Sequence, residues 1–223
     1  MDWRLLEMSE FDQVKKWCAD QELFYLRADI KIPETVIDEA LTIYDEGLFV
    51  EHRGSDGRGW QSVTLHGEGM NVTTYNPESY NHDWTELVKY APTMKEWLQD
   101  TFPNNGMYGR CRFMLLEPGG YIRKHTDTHM WKEGLPLKNN VMSAINIAIT
   151  QPEQCYLRRC SDMLEVPFQP REVYWFNNGP FHEAANFSKE PRIHFIIHGG
   201  TNKARKELFV KSFHKEHPDA QLI

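Results

Sequence analysis

Apolar residues recur at helical spacing in the first part of the chain and at alternate positions in the second. Residues 8–19 read as an amphipathic helix around Phe11, Val14, Lys15 and Cys18. A stronger helix is predicted from Pro33 to about Glu46. Pro33 suits a first turn, Val36, Ile37, Ala40, Leu41 and Tyr44 fall on one face, and Gly47 can end it. Trp60 to Leu65 reads as a strand, closed by the glycines of His66-Gly67-Glu68-Gly69. After Asp83 a second strong helix is expected. Asp83 and Glu86 outline a capping box, Trp84, Leu87, Val88, Ala91 and Leu98 give the apolar face, and Pro92 kinks it.

From Gly109 the period changes to two. Arg110–Glu117 and Tyr121–Asp127 are predicted strands around the turn Pro118-Gly119-Gly120. Met130–Asn140 reads as a loop, and Val141–Thr150 as a strand rich in Ile and Ala. Cys155–Arg159, Met163–Val166, Glu172–Phe176 and Arg192–His198 are further short strands. Evenly spaced short strands point to a sandwich or jelly-roll barrel. The expected fold is mainly β with flanking helices, the N-terminal helices packed on one sheet. One domain is expected over residues 1–223: a helical N-terminal part (1–56), a jelly-roll core (57–199) and a C-terminal tail (200–223).

The 223 residues suffice for such a core, and 40% hydrophobic with 13% aromatic content is ordinary for a globular protein. The net charge of −7 argues against nucleic acid or an anionic membrane as the main partner. No stretch reaches the roughly 20 apolar residues of a membrane span, and no signal-peptide pattern opens the chain. A cytoplasmic location is therefore expected. Cys18, Cys111, Cys155 and Cys160 have no zinc-site spacing. Reduced thiols are expected in that compartment.

The chemistry begins at His125-Thr126-Asp127. Side chains alternate along a strand, so His125 and Asp127 point to one face, with Cα atoms roughly 6.6 Å apart. His182, in the loop-like run Asn177 to Glu183, can supply a third ligand. Two His and one carboxylate hold Fe(II) on one face and leave the opposite face open. A structural zinc site is more often closed and cysteine-rich. His125, Asp127 and His182 are thus the candidate metal-binding and catalytic residues. His-x-Asp is common by chance, and His129 extends the same face as a possible competitor. His194 and His198 are expected to be satisfied interior histidines.

Arg192 follows His182 by ten positions. On its strand Ile193, Phe195 and Ile197 make one face, and Arg192, His194 and Ile196 the other. An inward Arg is costly unless paired, and a dicarboxylate fits its fork. The alternative is an Arg that snorkels to water or pairs with Glu172 or Glu190.

Taken together, Pro118 to Asp127, Asn146-Ile147-Ala148-Ile149, Trp175-Phe176-Asn177-Asn178, His182-Glu183 and Arg192 with Phe195-Ile196-Ile197 resemble the aspartyl/asparaginyl β-hydroxylase family. The resemblance covers roughly residues 57–199. It implies a double-stranded β-helix and a dioxygenase that uses Fe(II), 2-oxoglutarate and O2 to hydroxylate a C–H bond, releasing succinate and CO2. It assigns His125, Asp127 and His182 to the iron and Arg192 to the distal carboxylate of 2-oxoglutarate. It also puts Asn146 near the cosubstrate. The substrate class implied is an amino acid, peptide or protein. The animal enzymes that name the family have Gly at the position of Asp127 and Ser at that of Met114. The full triad is more similar to microbial members, some of which act on free amino acids, and Asp127 favours hydroxylation over halogenation.

Two other classes stay open on the residues alone: a cupin-like enzyme that uses only a metal, and a non-catalytic jelly-roll module. The loop 130–140, with Trp131, Lys132, Glu133 and Lys138, is either a substrate lid or an ordinary surface connection.

Overall fold

The computed structural model describes residues 8–73, 82–102, 108–127, 144–199 and 202–222. Two antiparallel sheets face each other, and helices cover the outer face of the larger one. The large sheet holds β1 (Tyr25–Lys31), β9 (Glu172–Phe176), β7 (Ala144–Ala148), β11 (Arg192–Gly199), β5 (Tyr108–Leu116), β3 (Trp60–Gly67) and β2 (Val50–Glu51) in that spatial order, with β4 (Asp83–Trp84) also paired to β3. The small sheet is β6 (Tyr121–His125), β10 (His182–Asn186) and β8 (Cys155–Arg159). From β5 to β11 the chain alternates strictly between the sheets, each strand lying in the sheet opposite to the one before it. This is the jelly roll expected from the strand spacing.

Alternation divides the large sheet between two cores. Phe113, Leu115, Ile145, Ile147, Trp175, Ile193, Phe195 and Ile197 point outward into the main core. There they meet α1 (Glu10–Asp20), α2 (Thr35–Asp45), α3 (Pro92–Thr101) and α4 (Lys203–Glu216) through Val14, Ala40, Met94 and Phe213. The covering layer is therefore not only N-terminal. The C-terminal α4 lies against it, with Phe209 edge-on to Trp175 at 5.1 Å. The opposite face forms a smaller core between the sheets from Leu116, Ala148, Tyr174 and Phe176, closed by Leu157 and Ala184 of the small sheet.

Several elements differ from expectation. The segment read as helical to residue 56 contains β1 and β2. β1 carries three charges in Tyr-Leu-Arg-Ala-Asp-Ile-Lys, yet it pairs with β9 as an edge strand, where Arg27 and Lys31 meet Glu172 at 3.6 and 3.7 Å. The kinked helix expected after Asp83 is three pieces. Asp83 and Trp84 pair with β3, a 3-10 turn over Glu86–Lys89 is capped by Thr85 rather than Asp83, and α3 starts anew at Pro92. Proline removes an N–H and pushes Ala91 out of the helical region, to φ −131°. Met163–Val166 is not a strand; Met163 has φ 59°, and only Glu165 bridges to Arg158. His182, expected in a loop, opens β10.

The turn between β5 and β6 fixes the approach to the site. A Cβ on Gly120 would stand 2.8 Å from the Glu117 carbonyl and 3.0 Å from that of Arg58, so only glycine fits. Gly119 donates to the Asn186 carbonyl at 2.8 Å, and the Asn186 side chain donates to the carbonyls of Leu116 and Glu190 at 2.9 and 2.8 Å. The turn is thereby tied to the end of β10.

Phe113 is fully buried and packs edge-on against Phe195 at 4.7 Å. Phe113→Ala is expected to cost about 3–5 kcal/mol of unfolding free energy. Denaturant melts check this, and a loss under about 1 kcal/mol would contradict the packing described.

Candidate metal centre

The β6–β10 pairing sets His182 directly opposite His125. Their rings stand 4.3 Å apart between centroids. Each Nδ1 lies against a backbone carbonyl two residues back, Arg123 at 2.8 Å for His125 and Pro180 at 2.9 Å for His182. Those contacts make each Nδ1 the donor and leave each Nε2 with a free lone pair. His182 is buried, and its pKa is lowered first by that burial and next by His125, which favours the neutral ring a metal requires.

Asp127 completes the set by a route the strand pattern did not anticipate. β6 ends at His125, so alternation does not aim this carboxylate. Instead the Asp127 N–H donates to the Asn178 carbonyl at 3.1 Å, and Thr126 Oγ1 donates to the Gly179 carbonyl at 2.7 Å. Asn178 Nδ2 then donates to Asp127 Oδ2 at 3.3 Å, while Oδ1 stands 3.5 Å from His125 Nε2. The Asn177-Asn178-Gly179 run was legible only as a turn; its part in holding Asp127 was not. One ligand atom from each of His125, Asp127 and His182 lies within 4.8 Å of the others. Two open imidazole nitrogens and a carboxylate oxygen on one side form a donor set that fits Fe(II) with positions to spare.

On the facing sheet Arg192 is buried, with 5% of its surface exposed. Its Nε donates to Gln151 Oε1 at 3.1 Å, its Nη2 stands 3.3 Å from His194 Nδ1, and the guanidinium lies over the Phe168 ring at 5.7 Å. Neither carboxylate considered from sequence pairs with it. Glu172 is taken by Arg27, Lys31 and Tyr174, and among the described residues no acidic group lies within ion-pair distance of Arg192. Burial alone draws its pKa down to about 10. A guanidinium desolvated without a counter-charge fits an incoming carboxylate.

His194 is a satisfied interior histidine, as expected. Its Nε2 meets Gln151 Oε1 at 2.8 Å and its Nδ1 meets the Asn146 side chain at 2.7 Å. Asn146 therefore reaches Arg192 through His194. Gln151, just past β7, contacts both and was not singled out in the sequence. His129 and the loop 130–140 lie outside the described residues, as do residues 141–143 of the strand expected there. All four cysteines are free thiols.

The family model for aspartyl/asparaginyl β-hydroxylase matches residues 33–199. The chain belongs to this family. As a family member it is an Fe(II)- and 2-oxoglutarate-dependent oxygenase. No curated protein matches the sequence. Among solved structures, the non-heme α-ketoglutarate-dependent carbocyclase SnoK of nogalamycin biosynthesis superposes with a TM-score of 0.50 at 14% identity, over 88% of this chain and 86% of that one. A Pseudomonas putida prolyl-4-hydroxylase superposes with a TM-score of 0.43 at 14% identity, over 83% and 97%. At this identity the SnoK likeness speaks for the fold alone. The family match extends upstream of the expected core, to α2.

His52 and His194 are buried and neutral. Burial first, then neighbouring arginine charge, lowers the pKa of His52 to about 3 and that of His194 well below its ordinary value. A depressed histidine pKa contributes stability that is complete above pH 6.5 and is lost as pH falls toward the folded value. For His52 the loss should be about 1.6 kcal/mol of stability between pH 6.5 and 5, and His194 adds a loss of the same sign. Urea midpoints across that range test this, and a flat profile would contradict neutral burial.

Proposed function

We propose that this β-hydroxylase family member hydroxylates a C–H bond of an amino-acid-like substrate, either a free amino acid or an Asp or Asn side chain in a protein. His125, Asp127 and His182 hold Fe(II), and Arg192 holds the distal carboxylate of 2-oxoglutarate. The observation that carries this reading is the pairing of three open ligand atoms on the small sheet with a buried arginine, free of any described carboxylate, on the sheet facing them.

Fe(II) with 2-oxoglutarate and O2 supplies the oxidising chemistry, with succinate and CO2 as co-products. The chain supplies position and dryness. The two carbonyl contacts at Nδ1 fix the tautomer and the orientation of both imidazoles. Asn178 engages one oxygen of Asp127 and leaves the other for the metal. Gln151 and His194 set the plane of the Arg192 fork, and Asn146 acts through His194 as a positioning residue. Phe168 and Phe176 wall the interior against water: Phe168 stacks edge-on to His194 at 4.6 Å and Phe176 to His182 at 4.9 Å.

A metal-only enzyme has no use for a buried guanidinium without a counter-charge, and a binding module has no use for two imidazoles held with Nε2 free. Among the described residues no helix is long and apolar enough to cross a membrane. We retain a cytoplasmic location as part of the proposal.

Asp127→Ala and His182→Ala should each abolish succinate formation with melting temperatures near that of the parent. Arg192→Ala should raise the 2-oxoglutarate requirement at least tenfold, about 1.4 kcal/mol. Steady-state succinate release measures all three. Ordinary turnover in either ligand variant, or an unchanged 2-oxoglutarate requirement in Arg192→Ala, would sink the assignment concerned.

A further inference from the structure

A second arginine shares the interior face with Arg192. Ile196 pairs with Arg112 across β11 and β5, as Arg192 pairs with Leu116. Arg112 and Leu116 have the same parity on β5, and Leu116 lies in the core between the sheets. Both arginines therefore point inward, four residues or roughly 13 Å apart along the strands.

The metal residues stand toward the Arg112 end. His182 packs on Phe176, which pairs with Ala144 at the end of β7 beyond Asn146, the residue opposite Ile196. His198, one inward step past Ile196, lies in the field of Arg110, Asp127 and Arg112 together. Arg192 is then the deep anchor, and Arg112 flanks the metal on the other side.

Arg112 is 4% exposed. Its Nη1 and Nη2 donate to the carbonyls of Thr73 and Val72 at 3.3 and 2.5 Å, while its Nε is buried with no hydrogen-bond partner. Among the described residues no carboxylate reaches it at ion-pair distance. Its surroundings are mostly cationic: Arg110 and Arg53 oppose its charge, and only Glu68 favours it. His52 lies in the same field and stacks on Trp60 at 4.2 Å; Trp60 in turn faces His125 at 6.3 Å. A buried donor left open costs about 1–3 kcal/mol, more on a charged group. Two carbonyls satisfy hydrogen bonds without neutralising charge.

We propose that Arg112 is a specificity-determining residue that receives a carboxylate of the substrate, so that the enzyme selects an anionic substrate over its uncharged counterpart. This rests on Arg192 being the residue that takes 2-oxoglutarate. Nη1 and Nη2 each already donate to a carbonyl, so the unpartnered Nε–H and the N–H of Nη2 beside it offer the two-pronged edge that a carboxylate fills.

Saturation-transfer NMR with propionate and its uncharged analogue propionamide tests this without turnover. The full chain carries Zn(II) as a redox-silent ion and saturating 2-oxoglutarate, which occupies the Arg192 end. Propionate should bind saturably and propionamide at least tenfold more weakly. Arg112→Gln should bring propionate to the level of the amide, and Arg112→Lys should keep part of the preference. Equal binding of acid and amide to the parent chain overturns the proposal without need of any variant, so a Gln variant that fails to fold does not shelter it. Propionate binding that survives in a folded Arg112→Gln also overturns it. The 2-oxoglutarate resonances in the same samples report separately on the underlying reading. Their failure to show binding contradicts the Arg192 assignment, whereas a missing propionate signal with 2-oxoglutarate bound contradicts only the role of Arg112.

Discussion

The cost of burying the Arg192 guanidinium is the constraint around which this interior is organised. An isolated charge in a dry interior is expensive, and the described chain gives it one neutral acceptor, Gln151 Oε1, the neighbouring His194 ring, and no carboxylate. Burial and the charge of Arg192 hold His194 neutral, and contacts with Asn146 and Gln151 at its two ring nitrogens orient it. Three residues from two neighbouring segments are thus committed to presenting one cation. A dicarboxylate bound there would supply the missing counter-charge, and its other end would lie toward the small sheet, where the metal residues sit.

The small sheet answers with geometry rather than charge. Backbone pairing sets His125 and His182 face to face, and carbonyls two residues back fix which nitrogen of each is free. The carboxylate is set by the loop before β10, through Asn178. The same segment that leads into His182 therefore positions Asp127, and the whole triad depends on the β6–β10 register. The Gly119-Gly120 turn and Asn186 pin the far end of that pair.

Much of this was legible in the chain. The strands β5, β8, β9 and β11 are readable because alternation is strict where both faces of a sheet are buried differently: Ile193, Phe195 and Ile197 outward, Arg192 and His194 inward. β8 and β9 matched residue for residue. β1 is not legible, because an edge strand tolerates Arg27, Asp29 and Lys31, which leave no apolar face to mark it within a segment read as helical. β10 was hidden by its sequence, His-Glu-Ala-Ala-Asn, which carries no β-branched residue and is a strand only because β6 and β8 flank it. Spacing is enough to group His125, Asp127 and His182 as candidates, but strand alternation stops at His125, and a loop contact that no periodicity encodes places Asp127. Gln151 and Arg112 escaped notice because their significance lies in what they lack or share across strands, which only the paired sheets reveal.

The most direct measurement is an anaerobic absorption titration of the purified chain with Fe(II) and 2-oxoglutarate, following the visible charge-transfer band of iron chelated by the 2-oxo acid. The account predicts a saturable band that requires both components and reaches one equivalent of each per chain. Iron binding with no such band at any 2-oxoglutarate concentration would contradict it.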